Sequence, residues 1–537
     1  MTAPMLTMSR GDQKNAPDHR DAAYIEQMPF WELCQDVKAS THRIRERKEL
    51  YLPRFTSESA KDWDARVKMT FADNHYDQTL ADHVGMVFSQ DPVISDNLPV
   101  DLEPFIENVD GENSHFTVFA KQFFETALDY GHAAILVDYP RIPDGVRLNK
   151  DQARVMRLQP YWSIIRADQI VNKRSAIIGG TRVLTQVSIA EESEIPDGEF
   201  GVKYVTQYRV ITQEITSSAV AAGMAPQPTG LGKITFKTWA PKADDAKQYM
   251  VIDEGEILGP SLIPLAICYG GPKLGLLRSR PHLVGMAYTS LEETQVKSDY
   301  ANIMHKCNVP TPVFIGRGPQ VDTGEKGSDE VVMGIGIDIP VGGDAKMLEP
   351  SGAALDATRT RIQDIRDQLR RQGAWLHTTT ASMTATEYTQ LARRTSARLL
   401  TASRSCKDAL EAALTFTMEY MRLPITDDGV TVTMAKDFGT PTIDANILNA
   451  YTAIYNAGGL PLEALLHAAK YGELPDEFEP EQAAAEAMAA EAQRLEEERV
   501  IAEARMKEMQ AAGGMKPPVP PGKKAPPASP IDDGDGA

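Results

Sequence analysis

Apolar positions in the first quarter of the chain recur at helical spacing in three stretches. The segment from about Asp21 through WELCQDVKASTHRIRERKELYL predicts one helix. It stops at Pro53, because proline disfavours helix at the residue before it. The segment TSESAKDWDARVKMTFADNHYDQTLADHVGMVFSQDP predicts a second, with Ser57 or Ser59 as N-cap. Val67, Phe71, Leu80, Val84, Val87 and Phe88 form its apolar stripe, and Asp91-Pro92 ends it. A third helix over Ser114–Tyr130 places Phe116, Phe119, Phe123, Phe124 and Leu128 on one side. Gly131 stops it. AAILVDYP then reads as a buried strand, short, continuously apolar and closed by proline.

From Arg157 to about Tyr269 the period changes from helical to strand-like. PYWSIIRA, TRVLTQVSI, KYVTQYRVI and ITFKTWA are rich in β-branched and aromatic residues and are separated by turn residues. SSAVAAGMAPQPTGLG reads as an exposed hairpin or loop, and IPLAICYGGP as one more strand and a turn. The second half differs again. A long helix is expected from about Pro281 to Asn308, with Leu283, Met286, Leu291, Tyr300, Ile303 and Met304 as contacts. A Gly- and Pro-dense β insert follows, and then a second long helix with Leu355, Ile362, Ile365 and Leu369 as its seam. A polar loop, LHTTTASM, leads to a third long helix, TATEYTQLARRTSARLLTASRSCKDALEAALTFTMEYM. TVTMAKDFG reads as a strand, Thr442–Lys470 as a helix pair turning at NAGGLP, and residues 480–511 as an Ala/Glu-rich helix with Met488, Leu495 and Met509 in heptad register. The last segment, GGMKPPVPPGKKAPPASPIDDGDGA, has the composition of a disordered tail.

Composition narrows this picture modestly. At 537 residues, 42% hydrophobic and 24% charged, the chain has room for several domains and a large core. No run of about 18 apolar residues predicts a membrane span, and the polar N-terminus lacks the apolar core of a secretory signal. Cys34, Cys268, Cys307 and Cys406 lie far apart without C-x-x-C pairing, so reduced, buried thiols are expected. The net charge of -19 disfavours a protein that grips DNA over a broad face, since such affinity comes from neutralising phosphates.

Enzyme signatures fail on spacing. TGLGKIT, within Gly230–Thr235, lacks the first glycine of a phosphate loop and has Ile234 where a magnesium-binding hydroxyl belongs. GGPKLG near Gly270 fails in the same way. ADNHYDQTLADHV gathers Asp73, His75, Asp77, Asp82 and His83, but without H-E-x-x-H spacing it reads better as a solvated polar face than as a metal site. No nucleophile elbow or Cys/His constellation appears. No catalytic residue, cofactor or metal is expected.

LPRFTSES, LDYGHAAILVDYP, MTATEYTQLARRTSARL, and KDFGTP with NAGGLP resemble local patterns of the portal proteins of tailed double-stranded-DNA bacteriophages, over roughly residues 45–470. The order of elements in the second half resembles that family as well. The resemblance implies an α+β portal fold with an α/β wing, helical stem, small β-rich clip and helical crown. The implied layout is a disordered leader (1–20), an N-terminal helical region (21–130), a β-rich wing (131–275), a stem helix (281–308), the clip (309–351), a returning stem helix (352–376), a channel loop (377–383), a long wing helix and strand (384–440), a helical crown (441–511) and a disordered tail (512–537). It further implies a ring of copies, a dodecamer in this family, at a capsid vertex of a virion assembled in the host cytoplasm. Expected partners are the terminase large subunit, the head-tail adaptor, the major capsid and scaffold proteins, and double-stranded DNA passing without sequence specificity.

On that implication the channel candidates are Arg359, Arg366, Arg370, His377, Thr378, Thr379 and Thr380, and the docking candidates in the clip are Arg317, Asp322, Glu325 and Lys326. The alternative for the arginines is a solvated role or pairing with acids of an adjacent copy. Threonines in the loop suit weak contact with a moving phosphate backbone. A scaffold or tail component without a DNA channel is the alternative function.

Overall fold

A computed structural model describes residues 16–56, 58–95, 99–140, 158–217, 228–242, 248–307, 311–315, 344–348, 353–373, 385–424 and 430–435. The chain divides into two units, Met1–Phe438 and Gly439–Ala537. In the second, only 451–452, 465, 499–505 and 507 are described, so the expected helix pair, crown and tail lie almost wholly outside the described residues. Among the described residues no helix is long and apolar enough to cross a membrane.

The N-terminal region is helical but more broken than its periodicity suggests. Helix α1 (Ala22–Lys38) starts where the Asp21 carboxylate accepts the Tyr24 N–H at 2.6 Å. A single helix to Pro53 does not form. The chain breaks at Ser40 (φ +57°) before α2 (Ser40–Arg47). The break lets Ser40 and Thr41 donate to the Ala72 carbonyl, and lets Arg43 and Arg47 turn back onto the buried Asp36 at 2.8 Å each.

The second expected helix is also two, α3 (Ala60–Met69), capped by Ser59, and α4 (His75–Val87). Between them the Thr70 hydroxyl donates to the Arg66 carbonyl, and the Thr70 carbonyl accepts from Arg45. Phe71 therefore leaves the apolar stripe. It is 65% exposed, beneath the Arg45 guanidinium at 4.5 Å. Strand β1 (Val93–Ile94) and the short α5 (Glu103–Ile106) lead to α6 (Phe116–Tyr130), whose expected aromatic side is fully buried.

Strand β2 (His132–Asp138) lies between β3 (Tyr161–Arg166) and β9 (Leu265–Tyr269) in a three-stranded antiparallel sheet. Its Ala133, Ile135 and Val137 face α6 and the other helices, whereas Ala134 and Leu136 face a second core. Burial on both faces accounts for its unbroken apolar run. That second core lies against a five-stranded antiparallel meander, β4 (Ile170–Ile178), β5 (Thr181–Asp197), β6 (Gly201–Ser217), β7 (Pro228–Pro241) and β8 (Tyr249–Ile257). Gly230–Thr235 is part of β7, paired along β6 and, at Ile234 and Thr235, with β8 as well, so it is strand rather than a phosphate loop. The GGPKLG turn feeds the small hairpin β10 (Lys273–Gly275) and β11 (Arg278–Ser279).

Then come α7 (Val284–Cys307), β12 (Thr311–Ile315), β13 (Asp344–Leu348), α8 (Ala353–Gly373) and α9 (Ala385–Met421). The strand expected at TVTMAKDFG is β14, limited to Val432–Thr433 and paired with β1. Helices α6 and α9 pack on the three-stranded sheet, α9 through Leu399, Ala402, Cys406, Leu410 and Leu414. Cys34, Cys268 and Cys406 are buried free thiols, as expected.

Trp162 joins the layers. Phe105, Phe116 and Phe119 meet its ring edge-on at 5.3 to 6.0 Å, and its indole N–H donates to Thr417 of α9 at 2.9 Å. Trp162→Ala is expected to lower unfolding stability by about 3–5 kcal/mol, read by denaturant titration with an unchanged slope.

Two histidines, His83 and His132, are buried, and His282 is largely withdrawn from solvent. Burial pushes His132 and His282 down to about 3 and also lowers His83. An unfolded chain takes up these protons near pH 6.5 and the fold resists them. Stability from these sites is therefore complete above about pH 6.5 and is lost as the pH falls toward 3. His282→Gln should flatten the fall of the thermal midpoint between pH 6.5 and 4 relative to the parent chain.

Candidate functional site

Helix α7 lies inside the helical layer, against α1, α3, α4 and α8. Its buried residues are mainly small and polar: Ala287, Thr289, Ser290, Glu293, Thr294 and Ser298. The expected apolar contacts hold only in part. Leu283 and Met286 are buried, and Ile303 is exposed. Thr289 and Thr294 return their hydroxyls to carbonyls one turn back, which satisfies them within the helix.

A buried carboxylate needs partners, and Glu293 (1% exposed) obtains them from two other elements. Arg366 of α8 donates to Oε1 at 2.7 Å, and His75 Nε2 of α4 lies 3.0 Å from Oε2. Asp73, just before α4, takes Lys297 at 2.8 Å and the second arm of Arg366 at 3.1 Å. Burial pushes both carboxyls up, yet these cations outweigh it and hold both below the ordinary range.

Asp73, His75 and Glu293 lie close enough together to hold a metal ion. The charges argue otherwise, because Arg366 and Lys297 already balance the two carboxylates. A divalent cation would have to displace them and leave the junction positively charged. The junction is best read as a structural tie.

The expectation of a solvated polar face over ADNHYDQTLADHV is corrected in the same place. His83 is 2% exposed, bonded at 3.1 Å to the carbonyl of Gly373 at the end of α8 and edge-on to His282 at 5.5 Å. A Cβ on Gly373 would come 2.8 Å from Met286 and 3.1 Å from Thr79, so glycine permits that close approach.

Met286 faces Gly373 and Glu293 faces Arg366, the same number of residues along each helix, so α7 and α8 run antiparallel. Ile362, Ile365 and Leu369 form the seam of α8 as expected, while Leu355 is only half-buried. At the far end β12 and β13 pair antiparallel over five residues, from Thr311↔Leu348 to Ile315↔Asp344.

Between Glu293 and the β12–β13 ladder, α7 meets a second tie that the sequence pattern did not reveal. Arg66 of α3, 5% exposed, grips Glu58 with both arms at 2.9 and 3.0 Å and donates to the Pro53 carbonyl at 2.7 Å. It lies 4.7 Å over the Phe55 ring, 3.4 Å from Ser298 and 3.5 Å from Asp299. The Thr70 and Ser298 hydroxyls are 2.8 Å apart. No local spacing links Glu58, Arg66 and Ser298. The Ser290, Thr294, Ser298 ladder at every fourth position was the available sign that α7 buries a polar face.

The candidate channel residues separate. Arg366 is committed to Glu293 and Asp73 of its own chain. Arg361 pairs with Glu292, also within the chain. Arg370 pairs with Asp367 at 2.8 Å and lines a small polar crevice with Asp73, His75, Arg366 and Leu369. Arg359 is exposed. His377, Thr378, Thr379 and Thr380, with Arg317, Asp322, Glu325 and Lys326, lie outside the described residues.

Residues 282–421 match the model of a family described as "Domain of unknown function (DUF4055)", a stretch that begins just before α7 and ends with α9. Comparison with curated proteins finds no match. Among solved structures, a chain from the neck of an empty GTA particle, computed with C6 symmetry, aligns at 10% identity and a TM-score of 0.38. The alignment covers 80% of this chain and 99% of that one. At that score the shared geometry is too slight to say what this chain does.

Removing Arg66 takes from the buried Glu58 the guanidinium that grips both of its oxygens. Arg66→Ala is expected to cost about 3–5 kcal/mol in denaturant unfolding. Arg366 is 43% exposed in its side chain. Solvent screens its pairs, so Arg366→Ala should cost distinctly less.

Proposed function

We propose that the chain is the portal subunit of a phage-type virion: a structural, non-enzymatic protein that closes into a ring at one capsid vertex. On this reading the ring is the channel for DNA during packaging and ejection. Its narrow end receives the terminase large subunit and later the head-tail adaptor, and its rim contacts capsid and scaffold proteins.

The observation that carries the reading is the out-and-back run of α7 and α8, with the β12–β13 ladder at its far end and the 37-residue α9 following. The sequence resemblance implies the same order for stem, clip, returning stem and wing helix, which supports the reading. The family match confined to 282–421 supports treating the run as one unit. The outward side of α8 is exposed on the single chain, and neighbouring copies in a closed ring would cover it.

Since Arg366 and Arg361 hold α8 to its own chain, Arg359 is the better candidate for contact with passing DNA. Negative-stain images of the purified protein should show rings with an axial hole, and sizing with light scattering should give the mass of one closed ring. A monomer at every concentration tested, or compact particles without a hole, would refute the portal reading.

A further inference from the structure

Strands β5 and β6 outrun the sheet to which they belong. Pairing of β4 with β5 ends at Ile189, and pairing of β7 with β6 ends at Tyr208. From Glu192↔Thr206 to Asp197↔Gly201 the two strands pair only with each other among the described residues. They form a free ribbon about 20 Å long. Its turn carries Phe200, 92% exposed, and Ile195, Val202 and Tyr204 are exposed along its length. Four acids, Glu192, Glu194, Asp197 and Glu199, accompany a single base, Lys203. A two-stranded ribbon with that much exposed apolar surface is marginal alone and has the character of an interaction arm.

The opposite kind of surface lies on the helical layer. A groove of about 270 Å³ between α3 and α7 is lined by Ala65, Met69, Phe71, Ala301 and the stem of Lys297. Met69 and Phe71 are 47% and 65% exposed. Asp62 lines it as well, and the lining cations Arg66 and Lys297 are held by Glu58 and Asp73, so any surplus of positive charge comes from cations on neighbouring residues. Lys48 and Lys68 share one carboxylate, Asp64. Arg45 spends its hydrogen bond on the Thr70 carbonyl. Arg54 and Lys61 are exposed, without a carboxylate partner among the described residues.

We propose that the ribbon of one copy of this chain docks into the α3–α7 groove of the next copy, with Phe200 over Met69 and Phe71 and the ribbon acids facing Arg45, Lys61 and Lys68, which adjoin the lining residues Phe71, Asp62 and Met69. The two surfaces differ, both stand on every copy, and their charge and apolar character are complementary. Such a contact is head-to-tail and propagates around a ring. A lone aromatic at the end of an arm, entering an apolar groove, is the usual anchor of an interface. The inference rests on the ring-forming reading and assigns it one interface.

The test uses full-length protein carrying Phe200→Asp or Met69→Asp, two exposed positions, with thermal midpoints measured alongside. Each variant alone should need at least about tenfold more protein to assemble than the parent. An equimolar mixture should give dimers, because each such dimer contains one intact ribbon-groove contact and cannot grow.

A second measurement does not depend on those substitutions. The double variant Phe200→Cys/Met69→Cys, treated with a short bismaleimide, should give a ladder beyond the dimer that neither single cysteine variant gives. If Phe200→Asp assembles like the parent, or the double variant gives no ladder from preparations that form rings, the inference is wrong and the ring survives; the arm then serves a different protein. If the parent chain never forms rings, the portal reading fails and this inference fails with it.

Discussion

The fold depends on how helix α7 buries a charged and hydroxylated face among other helices. Glu293 sits at the middle of that face, and an isolated carboxylate there would cost several kcal/mol. Three elements answer it: α8 through Arg366, α4 through His75, and α7 itself through Lys297, which holds Asp73 in place beside them. A purely apolar seam tolerates sliding by a turn. A carboxylate that must meet one guanidinium does not, so this junction fixes the register of α7 against α8. It thereby sets the direction in which the β12–β13 ladder projects. Arg66, clamped on Glu58 and reaching Ser298, fixes the same helix at a second level.

The apolar layers supply the platform. Strand β2 faces the helical core with one set of side chains and the five-stranded sheet with the other. The helical and β-rich regions are consequently one packed body within Met1–Phe438. Trp162 spans the join between the three-stranded sheet, α6 and α9. What extends beyond these layers is the β5–β6 ribbon, paired only with itself among the described residues and exposed along its length.

Several features of the candidate site could be read from the chain and several could not. The seam of α8 was visible because Ile362, Ile365 and Leu369 repeat at helical spacing. The aromatic side of α6 was visible for the same reason. Phe71 was misplaced into a stripe because periodicity carries no information about Thr70, whose hydroxyl and carbonyl take partners that end the helix there. His83 was assigned to a solvated face although it is buried against Gly373, a residue almost three hundred positions away. For Arg366 the sequence left DNA, solvent and the acids of an adjacent copy open, and the fold pairs it with acids of its own chain.

The sequence by itself determined the order of the described elements, the change from helical to β-rich and back, and the excursion between two long helices. These follow from local periodicity and from glycine and proline, which act within a few residues. Only the tertiary structure decided where the first two helices break, which polar side chains are buried, and which arginines are already spent on partners. Those outcomes depend on desolvation and on pairings between residues tens to hundreds of positions apart, and no spacing along the chain records them.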